Sequence, residues 1–159
     1  MMMEYLIVKV VHILSSTLLF GTGLGSAFYK WMADRGGDLP AMAKTNRTVV
    51  TADWLFTTPT VIIQPITGLW LIHLMGIPLD QTWILITLLL YVIAGGCWLP
   101  VVWLQIRMRD LTAEAVTENH SLDARYQRYA RIWFWLGIPA FAAMILIYML
   151  MVFKPNFTL

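Results

Sequence analysis

A histidine and a lysine lie within the first apolar segment of the chain. His12 follows Lys9 by three residues and precedes Ser16 by four, and Tyr5 lies four residues before Lys9. These spacings place the four polar side chains on one face of a helix. Ionisable groups are costly in hydrocarbon, so those that occur within a membrane span are candidates for function. His12 is therefore the first residue to consider for chemistry.

Two further polar stripes are predicted to meet the first. One follows the second apolar segment at helical spacing and comprises Asp53, Thr57, Thr60, Gln64 and Thr67. The other follows the third segment and comprises Thr87, Tyr91, Trp98 and Gln105. Polar side chains within lipid turn toward neighbouring helices. We therefore predict one polar seam inside the protein, with Gln64 at a depth similar to that of His12.

Four long apolar runs hold these stripes. The chain has 159 residues, of which 59% are hydrophobic and 13% charged, a composition typical of integral membrane proteins. Each run is long enough to cross a hydrocarbon core of about 30 Å as a helix. The predicted fold is all-α, a four-transmembrane-helix bundle that forms a single domain over residues 1–159. The helices are expected at 5–29, 51–74, 82–104 and 132–153.

Basic residues are unevenly distributed among the connections between the runs. The connection at 75–81 has no Lys or Arg, whereas nine basic residues lie in or beside the other two: Lys30, Arg35, Lys44, Arg47, Arg107, Arg109, Arg125, Arg128 and Arg131. Cytoplasmic loops carry the excess of Lys and Arg, so both termini are predicted to face outward from a bacterial inner membrane. The net charge of +2 is then explained by topology rather than by nucleic acid, and the lipid bilayer is the expected partner.

The cytoplasmic connection at about 108–131 is the longest polar region of the chain. It is predicted to consist of helix extensions that meet at a hinge formed by Asn119, His120 and Ser121. Ser121 is a residue type that caps helices, and Asp123 would then lie in the first turn of the last helix.

Nearly the whole chain resembles small four-helix membrane proteins of the HemJ type, the bacterial protoporphyrinogen oxidases, and their copper-resistance-D-like relatives. The matching pieces are the segment 5–12 that ends at His12, the run from Thr57 through Trp70, Trp83, Arg128 with Tyr129, and Lys154 with Pro155. The chain is more similar still to a family of predicted bacterial inner-membrane proteins without assigned function, through the segments 53–59 and 97–105.

Two segments depart from the HemJ pattern. HemJ-type proteins carry an Asn-Glu-x-Pro element on the last helix, where this chain reads Trp-Leu-Gly-Ile-Pro at 135–139. They also have a proline and an arginine late in the first helix, where this chain reads Ser-Ala-Phe at 26–28. The resemblance implies a shared scaffold and leaves the oxidase activity open.

The resemblance implies a site for b-type haem or a related porphyrin at His12, whose imidazole would be an axial ligand. Lys9 would pair with a porphyrin propionate, and Gln64, Thr67 and Tyr91 are the other candidate cofactor-binding residues. His73 is a weaker candidate for a second iron ligand, because it lies about half a turn around the helix from Gln64. The function implied is redox chemistry or tetrapyrrole handling, as in a HemJ-like oxidoreductase with an electron-transfer partner of unknown identity.

Other hypotheses stay open beside this one. His12 could instead bond to Gln64 or Thr67 as a packing contact while Lys9 extends toward the surface, in a non-enzymatic partner or assembly subunit. A third hypothesis is the passage of protons or metal ions. The stripe from Asp53 toward His12 would be a proton relay, although an ion pair of Asp53 with Arg107 or Arg109 is the simpler expectation. Three glycines on the first helix favour close helix packing, either internal or in a homo-oligomer: Gly21, Gly23 and Gly25.

Overall fold

All four apolar runs are helical in the computed structural model, which describes residues 2–155. The helices are α1 (Met2–Gly36), α2 (Leu39–Ala52), α3 (Thr58–Leu74), α4 (Thr82–Thr117) and α5 (Arg125–Phe153). A π-helical turn, Asp53–Thr57, joins α2 to α3, so that these two helices form one continuous rod. Within the described part of the chain, four helical segments are long and apolar enough to cross a membrane. The predicted all-α, four-span fold is confirmed.

The helices extend well beyond the apolar runs, and the first connection shrinks to Gly37 and Asp38. Gly37 has a φ of +69°, a left-handed conformation that glycine adopts without steric cost. The carboxylate of Asp38 accepts a hydrogen bond from the backbone N–H of Ala41 at 3.2 Å, and Pro40 lies in the first turn of α2. Capping therefore starts α2 at residue 39, twelve residues before the apolar run.

The connection between α4 and α5 contains the predicted hinge. Helix α4 ends at Thr117, and Asn119 has a left-handed φ of 54°. The prediction that Ser121 caps α5 is wrong, because the cap position belongs to Ala124 and its side chain makes no capping bond. Asp123 precedes the helix and accepts a hydrogen bond from the backbone N–H of Arg125 at 2.7 Å. Hydrogen bonds from the Arg125 side chain and backbone hold the pKa of Asp123 below its usual range.

The helices pair into two units. Helix α1 packs along the α2–α3 rod, and α4 packs along α5. The two units meet chiefly through α2 and α4, near the connections at 37–38 and 118–124. We call this the basic end of the bundle, and we call the opposite end, which holds the connection at 75–81, the terminal end.

Apolar side chains fill each end of the bundle. At the basic end, the core consists of Met42, Leu104, Met108, Tyr126 and Trp133. At the terminal end, a smaller cluster consists of Ile72, Trp83 and Ile84. The expectation that glycines bring helices together inside the chain is not met at Gly21 and Gly23, because a Cβ at either position would meet no atom of residues 2–155 within 4 Å.

Candidate functional site

His12 is fixed against α3 through one ring nitrogen. Its Nδ1 lies 2.8 Å from the hydroxyl oxygen of Thr67, which is itself 2.7 Å from the carbonyl oxygen of Ile63. A hydroxyl has a single hydrogen, and the bond to the Ile63 carbonyl uses it. In the arrangement that satisfies both contacts of the Thr67 hydroxyl, His12 Nδ1 carries a hydrogen and donates it to Thr67, which leaves the lone pair of a neutral imidazole on Nε2. No group of residues 2–155 forms a hydrogen bond with that Nε2.

The contact between α1 and α3 is shaped around this histidine. A Cβ added to Gly68 would lie 3.3 Å from His12 Cε1, so the glycine makes room for the ring. The amide nitrogen of Gln64 donates to the carbonyl oxygen of His12 at 2.8 Å and to the hydroxyl of Ser15 at 2.5 Å. Thr67 contacts His12, and Gln64 contacts both His12 and Ser15. The predicted seam between the first two stripes is therefore confirmed.

A cavity of about 380 Å³ lies beside His12, between the two helical units. We call it the histidine cavity; its polar lining residues are Tyr5, Lys9, His12, Ser16, Thr17, Gln64, Thr87, Tyr91, Tyr148 and Lys154. The ammonium of Lys9 lies 5.4 Å from the centre of the Tyr5 ring, at the terminal end of this cavity. Thr67 is not part of the lining and acts on the cavity through His12.

His73 is placed apart from the other candidate residues. Its side chain is exposed, and it lines neither this cavity nor the one described next. The structure thus brings together His12, Lys9, Gln64, Thr67 and Tyr91, and leaves His73 outside that group.

A second cavity, of about 530 Å³, continues from the first toward the basic end. We call it the tryptophan cavity after Trp98 and Trp133, which line it. Leu19, Tyr91 and Met144 line both cavities, and the phenol of Tyr91 donates a hydrogen bond to the carbonyl oxygen of Val61 between them. Nearly all of the lining is apolar, and Asp53 is its only acidic residue.

Asp53 makes no ion pair with the arginines of α4, so that expectation is wrong. One carboxylate oxygen accepts a hydrogen bond from Thr57 at 2.9 Å. Arg109 pairs instead with Asp110 at 2.7 Å, and the guanidinium of Arg107 lies 5.5 Å from the centre of the Trp103 ring. Gln105 is the residue of this α4 segment that lines the cavity with Asp53, whereas Arg107 projects from another face of α4 and Arg109 lies one turn farther toward the basic end.

The polar ladder from Asp53 to His12 is interrupted. The hydroxyl of Thr60 bonds to backbone carbonyls one turn earlier, those of Phe56 and Thr57. No hydrogen bond connects Thr60 to Gln64 within residues 2–155. A direct chain of side-chain hydrogen bonds therefore does not extend from Asp53 to the histidine cavity, and the proton-relay hypothesis stays a prediction.

Sequence reasoning missed a buried polar cluster at the basic end. The ammonium of Lys30 is fully buried and donates to Asp34 at 2.7 Å and to the phenol of Tyr126 at 3.0 Å. That phenol also donates to Asp34 and accepts a hydrogen bond from the amide of Asn46 at 3.0 Å. The indole ring of Trp133 covers the ammonium at 5.2 Å. The available signal was the four-residue spacing of Lys30 and Asp34, which suits an ion pair on a helix.

A family model described as "Predicted integral membrane protein (DUF2269)" matches residues 6–155 of the chain. No curated protein and no solved structure matches the chain.

Proposed function

The chain belongs to the DUF2269 family of predicted integral membrane proteins, and we propose that its histidine cavity binds a b-type haem or a related porphyrin. The role that follows is redox chemistry or tetrapyrrole handling in a bacterial inner membrane. The observation that carries this proposal is the contact of His12 Nδ1 with Thr67, while Nε2 has no hydrogen-bond partner among residues 2–155.

The bond between His12 and Thr67 has the form expected of an iron ligand. Histidine ligands usually donate their second ring N–H to a neighbouring oxygen, which fixes the tautomer and the orientation of the ring. A neutral imidazole prepared in this way binds iron through the other nitrogen. The single threonine contact therefore supports His12 as a ligand as well as a packing residue.

The other lining residues fit a haem as well. Thioether sulfur is a known partner of histidine on haem iron, and three methionines line the cavity: Met75, Met144 and Met151. Lys9 lies at the terminal end of the cavity, where its ammonium suits a propionate carboxylate. A bound haem would supply one-electron redox chemistry, whose potential depends on the axial ligands and on burial.

The proposal is tested by the absorption spectrum of protein purified from cells supplied with a haem precursor. Wild-type protein should show a Soret band and reduced-state visible bands, and His12→Ala should lose them. His73→Ala should retain the spectrum because His73 lies outside the cavity. Thr67→Val removes the acceptor of the His12 N–H and should weaken haem retention by about 10- to 100-fold, the usual effect of losing such a partner.

A colourless wild-type protein that also fails to take up haemin or protoporphyrin would contradict the proposal. The favoured function would then be a non-enzymatic membrane partner or assembly subunit with a structural polar seam. One observation supports that second candidate, namely that the Gln64 amide joins α1 to α3 by bonding to both His12 and Ser15.

A further inference from the structure

Two lysines give the histidine cavity a positive terminal end. Lys9 belongs to α1, and Lys154 follows the last residue of α5, so the two line the cavity from different helical units. No Asp or Glu of residues 2–155 is among the lining residues, and His12 is the only other lining residue with an ionisable nitrogen. The cavity therefore has basic side chains on both sides of one end and no acidic side chain to balance them.

Neither ammonium is paired with a carboxylate of the described chain. Among residues 2–155, no carboxylate oxygen lies within 4.0 Å of Lys9 Nζ or Lys154 Nζ. Each ammonium lies instead near an aromatic ring of the same cavity, at 5.4 Å from the centre of the Tyr5 ring and 5.9 Å from that of Trp83. An aromatic ring attracts a cation but has no net charge, so both positive charges stay available to an anion.

This lining suits a ligand with an apolar body and two anionic groups at one edge. A carboxylate placed deeper in the cavity would be buried without a cation, which is costly. A ligand with a single carboxylate would use only one of the two ammonium groups. Haem and protoporphyrin meet both requirements, because their two propionates extend from one edge of a flat, apolar ring.

We propose that Lys9 and Lys154 together bind the two carboxylates of a tetrapyrrole dicarboxylate, which then joins the two helical units at the terminal end. This role of Lys154 rests on the porphyrin function proposed above, and it supplies the partner of the second propionate. Lys9 lies three residues from His12, or about 4.5 Å along the helix. The flexible four-carbon stem of each lysine lets its ammonium follow the carboxylate.

Variants that remove one charge at a time test the pair. Lys9→Gln and Lys154→Gln keep most of the side chain. The backbone of Lys154 is left-handed, with a φ of 42°, a conformation that glycine adopts with less strain. Lys154→Gly therefore removes the ammonium without disturbing the end of α5. Lys44→Gln is the matched control, because Lys44 is an exposed lysine that lines neither cavity.

The probes are haemin and haemin dimethyl ester, which share the ring and the iron and differ only in the two carboxylates. Each is titrated into detergent-purified protein and followed by the Soret band. Wild-type protein should bind haemin up to about 25-fold more tightly than the diester, since an exposed ion pair contributes up to about fivefold and independent contributions multiply. Each of the three variants at Lys9 and Lys154 should lose up to about fivefold in affinity for haemin and nothing for the diester. Lys44→Gln should change neither affinity.

A second pair of probes separates the lysines from the iron ligand. Metal-free protoporphyrin and its dimethyl ester are followed by porphyrin fluorescence. The preference for the free acid should persist in His12→Ala, because no iron is involved, and should fall in Lys154→Gln.

Equal affinity of wild-type protein for haemin and its diester would overturn the role of the two lysines and leave the haem function in place. A Lys154→Gln variant that binds both haemin probes as the wild type does would have the same meaning. Displacement of haemin by phosphatidylglycerol but not by phosphatidylcholine would assign the lysines to a lipid phosphate and overturn the proposal as well. Wild-type protein that binds none of the four probes would overturn the porphyrin function together with this role of Lys9 and Lys154.

Discussion

At the scale of single residues, Gln64 makes the most informative contact between α1 and α3. Its amide bonds to the His12 carbonyl and the Ser15 hydroxyl, whereas the neighbouring Ile62 is 58% exposed and faces lipid. Gln64→Leu should lower stability by about 0.6 kcal/mol, and by no more than roughly 1.7 kcal/mol, the range measured for side-chain hydrogen bonds between membrane helices.

The measurement is thermal unfolding in detergent, followed by helical circular dichroism. Ile62→Leu is the control, since it exchanges two apolar side chains of equal volume on the lipid face. If both variants unfold at the wild-type temperature, the seam between α1 and α3 contributes nothing measurable to stability.

The buried polar cluster around Lys30 at the basic end predicts a larger loss of stability than the one expected for Gln64→Leu. Asp34→Ala would leave a buried ammonium without its carboxylate, which typically costs about 3–5 kcal/mol. Asp110→Ala is a suitable comparison, because the Arg109–Asp110 pair is exposed on both sides and such pairs contribute about 0–1 kcal/mol. Denaturation in detergent should therefore give a clearly lower free energy of unfolding for Asp34→Ala than for Asp110→Ala.

A double variant shows whether charge or shape matters in this cluster. Lys30→Met with Asp34→Leu removes both charges and should regain much of the stability that Asp34→Ala loses. Equal losses in the single and double variants would show that the cluster acts through packing of the lysine stem rather than through pairing of its charge.

The sequence predicts some of these contacts and not others, for reasons visible in particular residues. Thr67 and Gln64 lie on one helical face at a depth that matches His12, so spacing alone places them together. Lys30 bonds to Tyr126, which is 96 residues away, and no local pattern reports such a pair. A lysine at the end of an apolar run looks like an interfacial charge until the fold encloses it.

At the scale of secondary structure, the π-helical turn Asp53–Thr57 sets how α2 and α3 face the rest of the bundle. Its first and last residues are buried, while the three between them, Trp54, Leu55 and Phe56, are exposed. A π-helical turn within an α-helix contains one residue more than the α-helical path requires, and such turns are frequent at functional sites.

Insertion of one alanine after Leu55 should exceed the single extra residue that the π-helical turn accommodates and rotate α2 relative to α3 by about 100°. Met42 and Asn46 would then leave their positions against α4 and α5, so we expect little monodisperse protein on gel filtration in detergent. Insertion of one alanine after Leu79, which is 56% exposed in the connection at 75–81, is the control and should be tolerated. An insertion after Leu55 that behaves like wild type would show that the turn does not determine how α2 and α3 face the bundle.

Helix lengths were predictable only in part. Apolar runs mark the stretch of helix that lipid surrounds, and all four are found within the observed helices. The ends that extend beyond lipid depend on capping by Asp38 and on contacts such as that of Asn46 with Tyr126. The sequence does not reveal these contacts before the chain is folded.

At the scale of the whole molecule, the distribution of basic residues predicts the orientation. Reporter fusions at Gly37 and Glu118, in the connections at the basic end, should report cytoplasm. Fusions at Asp80 and after Pro155 should report the opposite side. A cytoplasmic signal after Pro155 would reverse the orientation and place His12 near the cytoplasmic face.

The length of α4 supports a basic end that extends beyond the bilayer. Its 36 residues span about 54 Å at the α-helical rise, against a hydrocarbon core of about 30 Å. The two cavities could not be foreseen from the sequence in the same way. Periodicity identifies which side chains face inward, but it does not give the distance between the two helical units.

The pairing of the helices makes this molecule, in effect, a dimer of two unequal subunits joined by a tether. Residues 75–81 are the only covalent link between the α1–α3 unit and the α4–α5 hairpin, and that link lies at the end remote from the α2–α4 packing. Severing the chain there would leave every hydrogen bond around His12 and Lys30 intact, including those that cross between the units. Two separately synthesised fragments, each a membrane-inserted piece with its own internal contacts, should therefore find one another in the bilayer and rebuild both cavities at their common boundary.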